Sequence, residues 1–180
     1  NGDETPEKHV ETQRQLYEKC VEIVDTLIPE LLSVLDDDST ILVLGDHGEE
    51  FDHGHYGHER LYDECVRVPL FFENISQLSS EESIRQLDLA PSILRELSME
   101  VPEDWDGRGA NSTRNEPALM LTPQPDVNIL HVGIRSDERK LIKSFKLNNG
   151  QLVQTELYDL AADPQERMNI IEERTANDLQ

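Results

Sequence analysis

Four of the six histidines, His47, His53, His55 and His58, lie within one short stretch together with Asp46, Glu49, Glu50 and Asp52. Imidazole beside carboxylate is a ligand set for zinc, manganese or iron; carboxylate-rich versions hold magnesium or calcium. Asp46 and His47 are adjacent, and neighbours on an extended strand point to opposite faces. Both reach one ion only if the strand has ended and the backbone turns there, which Gly45 and Gly48 make easy. His53, His55 and His58 are spaced by two and three, which is not a zinc-finger pattern. For His53 and His55 an exposed polar loop and a ligand-binding loop both remain open. Glu49, Glu50 and Asp52 read as solvated acids, with support of a metal-bound histidine as the sharper alternative. Arg67 reads as a surface ion-pair residue, and His9 and His131 as exposed or structural. Cys20 and Cys65 are too far apart for a CxxC motif and read as small buried residues.

The flanking pattern says what must position this stretch. From Gln13 to Leu35 the apolar residues Leu16, Cys20, Ile23, Val24, Leu27, Ile28, Leu31, Leu32 and Leu35 recur every three or four positions. That predicts an amphipathic helix with one buried stripe, kinked or split at Pro29. Thr40 to Leu44 is a continuous β-branched run, the signature of a strand buried on both faces in a parallel sheet. The Asp46–His47 pair follows its carboxyl end, where α/β sheets place ligands. Val66 to Phe72 predicts a second strand, confined by Pro69 to an edge. Gln86 to Leu97 predicts a helix capped by Asp88. Beyond a loop at 101–116, short runs at 118–121, 129–135, 140–146 and 152–156, with Asn148-Asn149-Gly150 as a hairpin signal, predict a small antiparallel sheet. The chain from Pro164 reads as helical or disordered. The class is therefore α/β: residues 1–116 belong to a larger sheet, and residues 117–180 form an antiparallel subdomain with a terminal helix.

Charge narrows the partners. Thirty-eight acidic residues face 16 basic ones, for a net charge of −22. Such a field repels nucleic acid and anionic membranes. The acids are spread between periodic apolar segments, so they read as the solvated surface of a folded domain. Its self-repulsion is tolerable where concentrated salt shortens the Debye length to about 3 Å at 1 M. This predicts a salt-loving, haloarchaeal source and a cytoplasmic location. No apolar run reaches 18 residues, so no membrane span is expected.

Several segments then resemble one family, in its order. Gly45-Asp46-His47-Gly48-Glu49, a Gly/His loop, and Leu61-Tyr62-Asp63-Glu64 leading to Arg67-Val68-Pro69-Leu70 resemble the sulfatase branch of the alkaline phosphatase superfamily. Leu87 to Leu94, Asp104 to Arg108, Val132 to Arg135 with Arg139 to Ile142, and Glu156 to Leu160 with Asp163-Pro164 and Glu166 are similar to later family segments. The resemblance implies part of an alkaline-phosphatase-like α/β sandwich and hydrolysis of a small-molecule sulfate ester. It implies Asp46 and His47 as ligands of a divalent metal, calcium or magnesium in a sulfatase. It places His58 where sulfatases carry a sulfate-contacting lysine, which makes His58 the candidate catalytic residue near the leaving group. His53 and His55 are candidate substrate contacts. A histidine at position 58 also suits a second metal, as in phosphatase relatives, so a phosphoric ester or phosphonate hydrolase using zinc or manganese stays open. So does a non-catalytic acidic binding module. The family's Cys/Ser-x-Pro-x-Arg nucleophile motif matches neither Cys20 nor Cys65. The chain is thus expected to be a C-terminal portion, inactive alone, that self-associates or packs against a missing N-terminal portion through exposed apolar surface.

Overall fold

The computed structural model describes residues 6–79, 83–112 and 116–171. Helix α1 (Pro6–Leu32) is followed by strand β1 (Ile41–Leu44), the short helix α2 (Asp63–Val66) and strand β2 (Leu70–Glu73). A 3₁₀ turn at Gln86–Asp88 leads into α3 (Leu89–Glu96). Four strands close the chain: β3 (Ala118–Gln124), β4 (Ile129–Arg135), β5 (Arg139–Lys146) and β6 (Leu152–Asp159).

Helix α1 starts earlier than its apolar stripe, because Pro6 suits a first helical position, where no N–H donor is needed. It also runs past Pro29 without breaking. The stripe is not buried as expected: Leu16, Ile23, Val24, Leu27 and Leu31 are all more than half exposed, and Cys20 is exposed rather than buried. Ile28 and Leu32 are half-buried and share a cavity lining with Ile41, Val43 and Phe71 of the ribbon, and polar and aromatic contacts join the other end of the helix to the loop. Arg14 pairs with Asp52 at 2.5 Å, and Tyr17 meets Phe51 edge-on at 5.6 Å.

Strand β1 is also not what its composition predicts. It pairs antiparallel with β2, Leu44 opposite Leu70, and is only half-buried. The loop after β1 and the turn of α2 reverse the chain and bring β2 back alongside, so a continuous apolar run here makes a two-stranded ribbon. The predicted second strand loses Val66 to α2 and begins only at Leu70. Beneath the ribbon, Ile75, Leu78 and Leu89 form a small core with Leu42, Leu70, Phe72 and Ile93. Asp88 does not cap α3 with its side chain. It is fully buried, accepting from Arg85 Nε at 2.7 Å and from the Arg108 backbone N–H at 2.9 Å.

The four-stranded sheet forms as expected, in the order β3-β4-β5-β6, all antiparallel. The β5–β6 turn holds Gly150 at φ +68°, a left-handed conformation that favours glycine, and Asn149 Oδ1 accepts from the Gln151 N–H at 3.0 Å. One core cluster crosses between the two parts of the chain: Leu61 and Tyr62 pack with Ile142, Tyr158 and Leu160. After β6, residues 164–170 carry no helix, and the remainder of the expected terminal helix lies outside the described residues.

Candidate functional site

The backbone leaves β1 at Gly45, and Gln86 Nε2 donates to the carbonyl oxygens of Gly45 at 3.1 Å and Asp46 at 2.9 Å. Gly48 matters through close approach: a Cβ there would lie 1.9 Å from the Glu64 carbonyl oxygen. Its N–H donates to the Cys65 carbonyl at 2.7 Å, so the strand end sits directly on α2. This seat turns the Asp46 and His47 side chains toward each other, with His47 Nε2 3.9 Å from Asp46 Oδ2.

The Asp46 carboxylate is 91% exposed, and the His47 backbone N–H donates to its Oδ1 at 3.0 Å. That bond, aided by the nearby imidazole, holds the carboxyl below the usual range, so it is ionised. His47 Nδ1–H donates to the Gly48 carbonyl at 2.9 Å, so in the neutral ring Nε2 carries the lone pair. His58 joins this pair: its ring stacks on His47 with centroids 4.2 Å apart. Behind it, Glu49 Oε1 is buried without a hydrogen-bond partner, 3.5 Å from His58 Nδ1. Glu49 is thus a close companion of His58 and not a solvated acid, nearer the histidine-supporting alternative that its sequence left open.

The other two candidate histidines go elsewhere. His55 is 3.5 Å from Glu59 and substantially exposed. His53 is largely buried, its ring stacked on Tyr62 at 3.9 Å, with Nδ1 facing Glu50 and Glu64. Glu50 is the second correction among the acids. It is fully buried and gripped by both arms of Arg60, with Nε to Oε2 at 2.9 Å. Its N–H also closes the loop onto the Gly57 carbonyl at 2.8 Å. Cys65 is buried here as expected, and burial pushes its thiol up to about 12, out of reach of nucleophilic use. Arg67 is exposed; His131 is buried, its Nδ1 2.9 Å from Ser144 Oγ.

Beneath the loop lies a buried ionic clamp. Lys140 Nζ, with no exposed surface, pairs with Asp63 at 2.5 Å and Glu166 at 2.7 Å and donates to the Leu61 carbonyl at 3.0 Å. Arg135 adds a two-pronged contact to Asp63, both arms at 2.9 Å. Burial favours the protonated acid, yet the two cations outweigh it and hold Asp63 at about 2. The clamp ties residues 61–63 to β4, β5 and the segment after β6.

A sequence model of the sulfatase family matches residues 1–98, more than half of the chain. The chain belongs to the sulfatase family. Two solved structures share its fold. One is the yidJ protein of Bacteroides fragilis, assigned as a sulfatase, at 20% identity and a TM-score of 0.64 over 88% of this chain and 36% of that one. The other is a Bacteroides thetaiotaomicron protein from a core genetic locus for metabolism of multiple glycosaminoglycans, at 18% identity and a TM-score of 0.56 over 87% and 37%. This sulfatase chain thus spans little more than a third of the length of these relatives. No functionally curated protein matches it. No helix among the described residues of this sulfatase is long and apolar enough to cross a membrane.

Sulfatases generally use a divalent metal, and the strand-end residues fit one. An ionised exposed carboxylate lies 3.9 Å from the imidazole nitrogen that, in the neutral ring, carries the lone pair.

Proposed function

We propose that this chain supplies the metal-binding strand end and the leaving-group side of a sulfuric ester hydrolase, with Asp46 and His47 as metal ligands and His58 as the catalytic acid. The observation that carries the reading is the convergence of Asp46, His47 and His58 at the end of β1. A divalent cation held there would supply positive charge against the negative charge that builds on the ester oxygens. His58, protonated, would hydrogen-bond the bridging oxygen and pass it a proton as the ester bond breaks. Glu49, at 3.5 Å from Nδ1, would fix the orientation of the imidazole. His55 and His53 are proposed to line the approach, His55 by contact and His53 by holding the loop. The nucleophile is proposed to come from sequence outside residues 1–180, and the −22 charge is proposed to suit a salt-rich cytoplasm.

One observation favours a second reading. The stacking of His58 on His47 puts two imidazoles and two carboxylates, Asp46 and Glu49, at one strand end. That donor set also suits two ions acting on a phosphoric ester or phosphonate.

The test is an assay of the full-length gene product on aryl sulfate and aryl phosphate, after metal removal and with calcium, magnesium, manganese or zinc returned singly. Sulfate hydrolysis restored by metal and abolished in Asp46→Ala supports the first reading. A tenfold or greater preference for phosphate moves the assignment to the second. Full activity in Asp46→Ala would overturn both.

A further inference from the structure

His53 points into a second group of ligand atoms that shares no residue with the strand-end pair. Its Nε2 lies 3.2 Å from the Glu166 carbonyl oxygen, which can only accept, so Nε2 carries the proton. In the neutral ring Nδ1 is then a bare lone pair. That atom is buried and has no hydrogen-bond partner. Facing it are two carboxylate oxygens, Glu64 Oε2 at 3.5 Å and Glu50 Oε1 at 3.7 Å. A bare lone pair turned toward two carboxyl groups in a buried place is repulsive unless a proton or a metal cation lies among them.

The protein's own cations do not complete the balance. Arg60 grips Glu50 and neutralises one of the two carboxylates. Glu64 Oε2 accepts the backbone N–H groups of Phe51 at 3.2 Å and Asp52 at 3.4 Å, and its carboxyl also shares a side-chain hydrogen bond with Asp52, but no lysine or arginine pairs with it among the described residues. The geometry is that of a ligand shell: one atom from each of Glu50, His53 and Glu64 lies within 4.8 Å of the others. Zinc bonds of about 2.0–2.2 Å place tetrahedral ligand atoms roughly 3.4 Å apart, close to both distances from His53. The carbonyl behind His53 is the support that metal-bound imidazoles ordinarily have, and the stacked Tyr62 ring fixes the plane.

We propose that Glu50, His53 and Glu64 bind one zinc-type divalent cation, which pins the loop carrying His58 onto α2 and the segment after β6. One imidazole with two carboxylates favours zinc or manganese over calcium, which takes six or more oxygen ligands.

The experiment uses the full-length gene product with Asp46→Ala and His47→Ala in place, so that the strand-end pair takes up no metal. The metal-free protein is dialysed against zinc and its bound metal counted by elemental mass spectrometry. Cobalt then replaces zinc for the visible spectrum. One zinc per chain is expected, with four-coordinate cobalt bands, and both are lost on adding H53Q or E64Q. E64Q keeps an oxygen for the Phe51 and Asp52 amides, so it serves if H53Q fails to fold by circular dichroism. Absence of zinc uptake overturns the proposal, as does uptake that H53Q and E64Q leave unchanged. So does a nitrogen NMR spectrum showing His53 Nδ1 protonated in the presence of zinc. The aryl ester assays on the wild-type protein are read separately, so loss of this site and loss of the hydrolase reading are distinguishable.

Discussion

The two ends of one short loop treat charge in opposite ways. At the end of β1, Asp46 is 91% exposed and His47 and His58 are nearly half exposed, and among the described residues no lysine or arginine pairs with Asp46. Around α2, Asp63, Lys140, Arg135 and Glu166 are buried and locked together by contacts of 2.5–2.9 Å. A charge paired in a dry interior is committed to holding the fold, and removing one partner strands the others. A charge left exposed beside a free imidazole lone pair contributes little to folding and is available to something from outside. The contrast separates residues that build the site from residues that use it, although Asp46 and Asp63 themselves lie within twenty residues of sequence.

Replacing Lys140 with alanine tests the buried end most severely. It leaves Asp63 and Glu166 without their shared cation, and the expected cost is about 3–5 kcal/mol in urea unfolding. A cost near that of a surface change would break the comparison. His47→Ala tests the exposed end. Ester hydrolysis should fall at least about 100-fold, beyond the range typical for loss of a residue that merely supports a ligand. Stability should stay within about 0.5 kcal/mol, as for surface positions; unfolding of this variant would merge the two regions. Gly48→Ala probes the seam between them. Its Cβ would meet the Glu64 carbonyl at 1.9 Å, so overpacking should cost about 1–3 kcal/mol.

A smaller effect concerns His131, whose burial holds its pKa below the ordinary 6.5. The folded protein therefore binds this proton more weakly than the unfolded chain does. Stability should be full above pH 6.5 and fall as the pH drops below it, by at most about 1.4 kcal/mol per pH unit from this group. His131→Asn should flatten that part of the profile. The smallest effect is the diffuse one: raising KCl from about 0.01 M to 1 M shortens the Debye length from about 30 Å to 3 Å. The melting temperature should rise as acid self-repulsion is screened, and a fall would remove the salt-adapted reading of the −22 charge.

Local pattern carried the parts of this molecule that local interactions decide. The four strands of the terminal sheet and the turn at Gly150 follow from alternation and turn chemistry, because each strand pairs with its neighbour in sequence. The run at 41–44 was legible as a strand but not in its pairing, since apolar content says nothing of which strand returns beside it. The α1 stripe was legible as helix, while its exposure depends on what covers it, which periodicity cannot specify. At the site, Asp46, His47 and His58 stood out by type and by their likeness to a family. Glu49 and Glu50 did not, because in so acidic a chain a buried carboxylate looks like any other. Glu50 needed Arg60, ten positions on, and Glu166 needed Lys140 and Asp63 from distant segments.

The Glu166 carboxylate accepts the N–H of Asp63 across 103 residues, and its carbonyl takes the His53 ring across 113. Chains are made at about 5–20 residues per second, so the His58 loop waits roughly 5–20 s after its own synthesis for the groups that fix it. During that interval its acids and histidines are already present but not yet arrayed. Site maturation is therefore coupled to completion of the terminal sheet, and a ribosome stalled before Glu166 would leave the loop without its anchor.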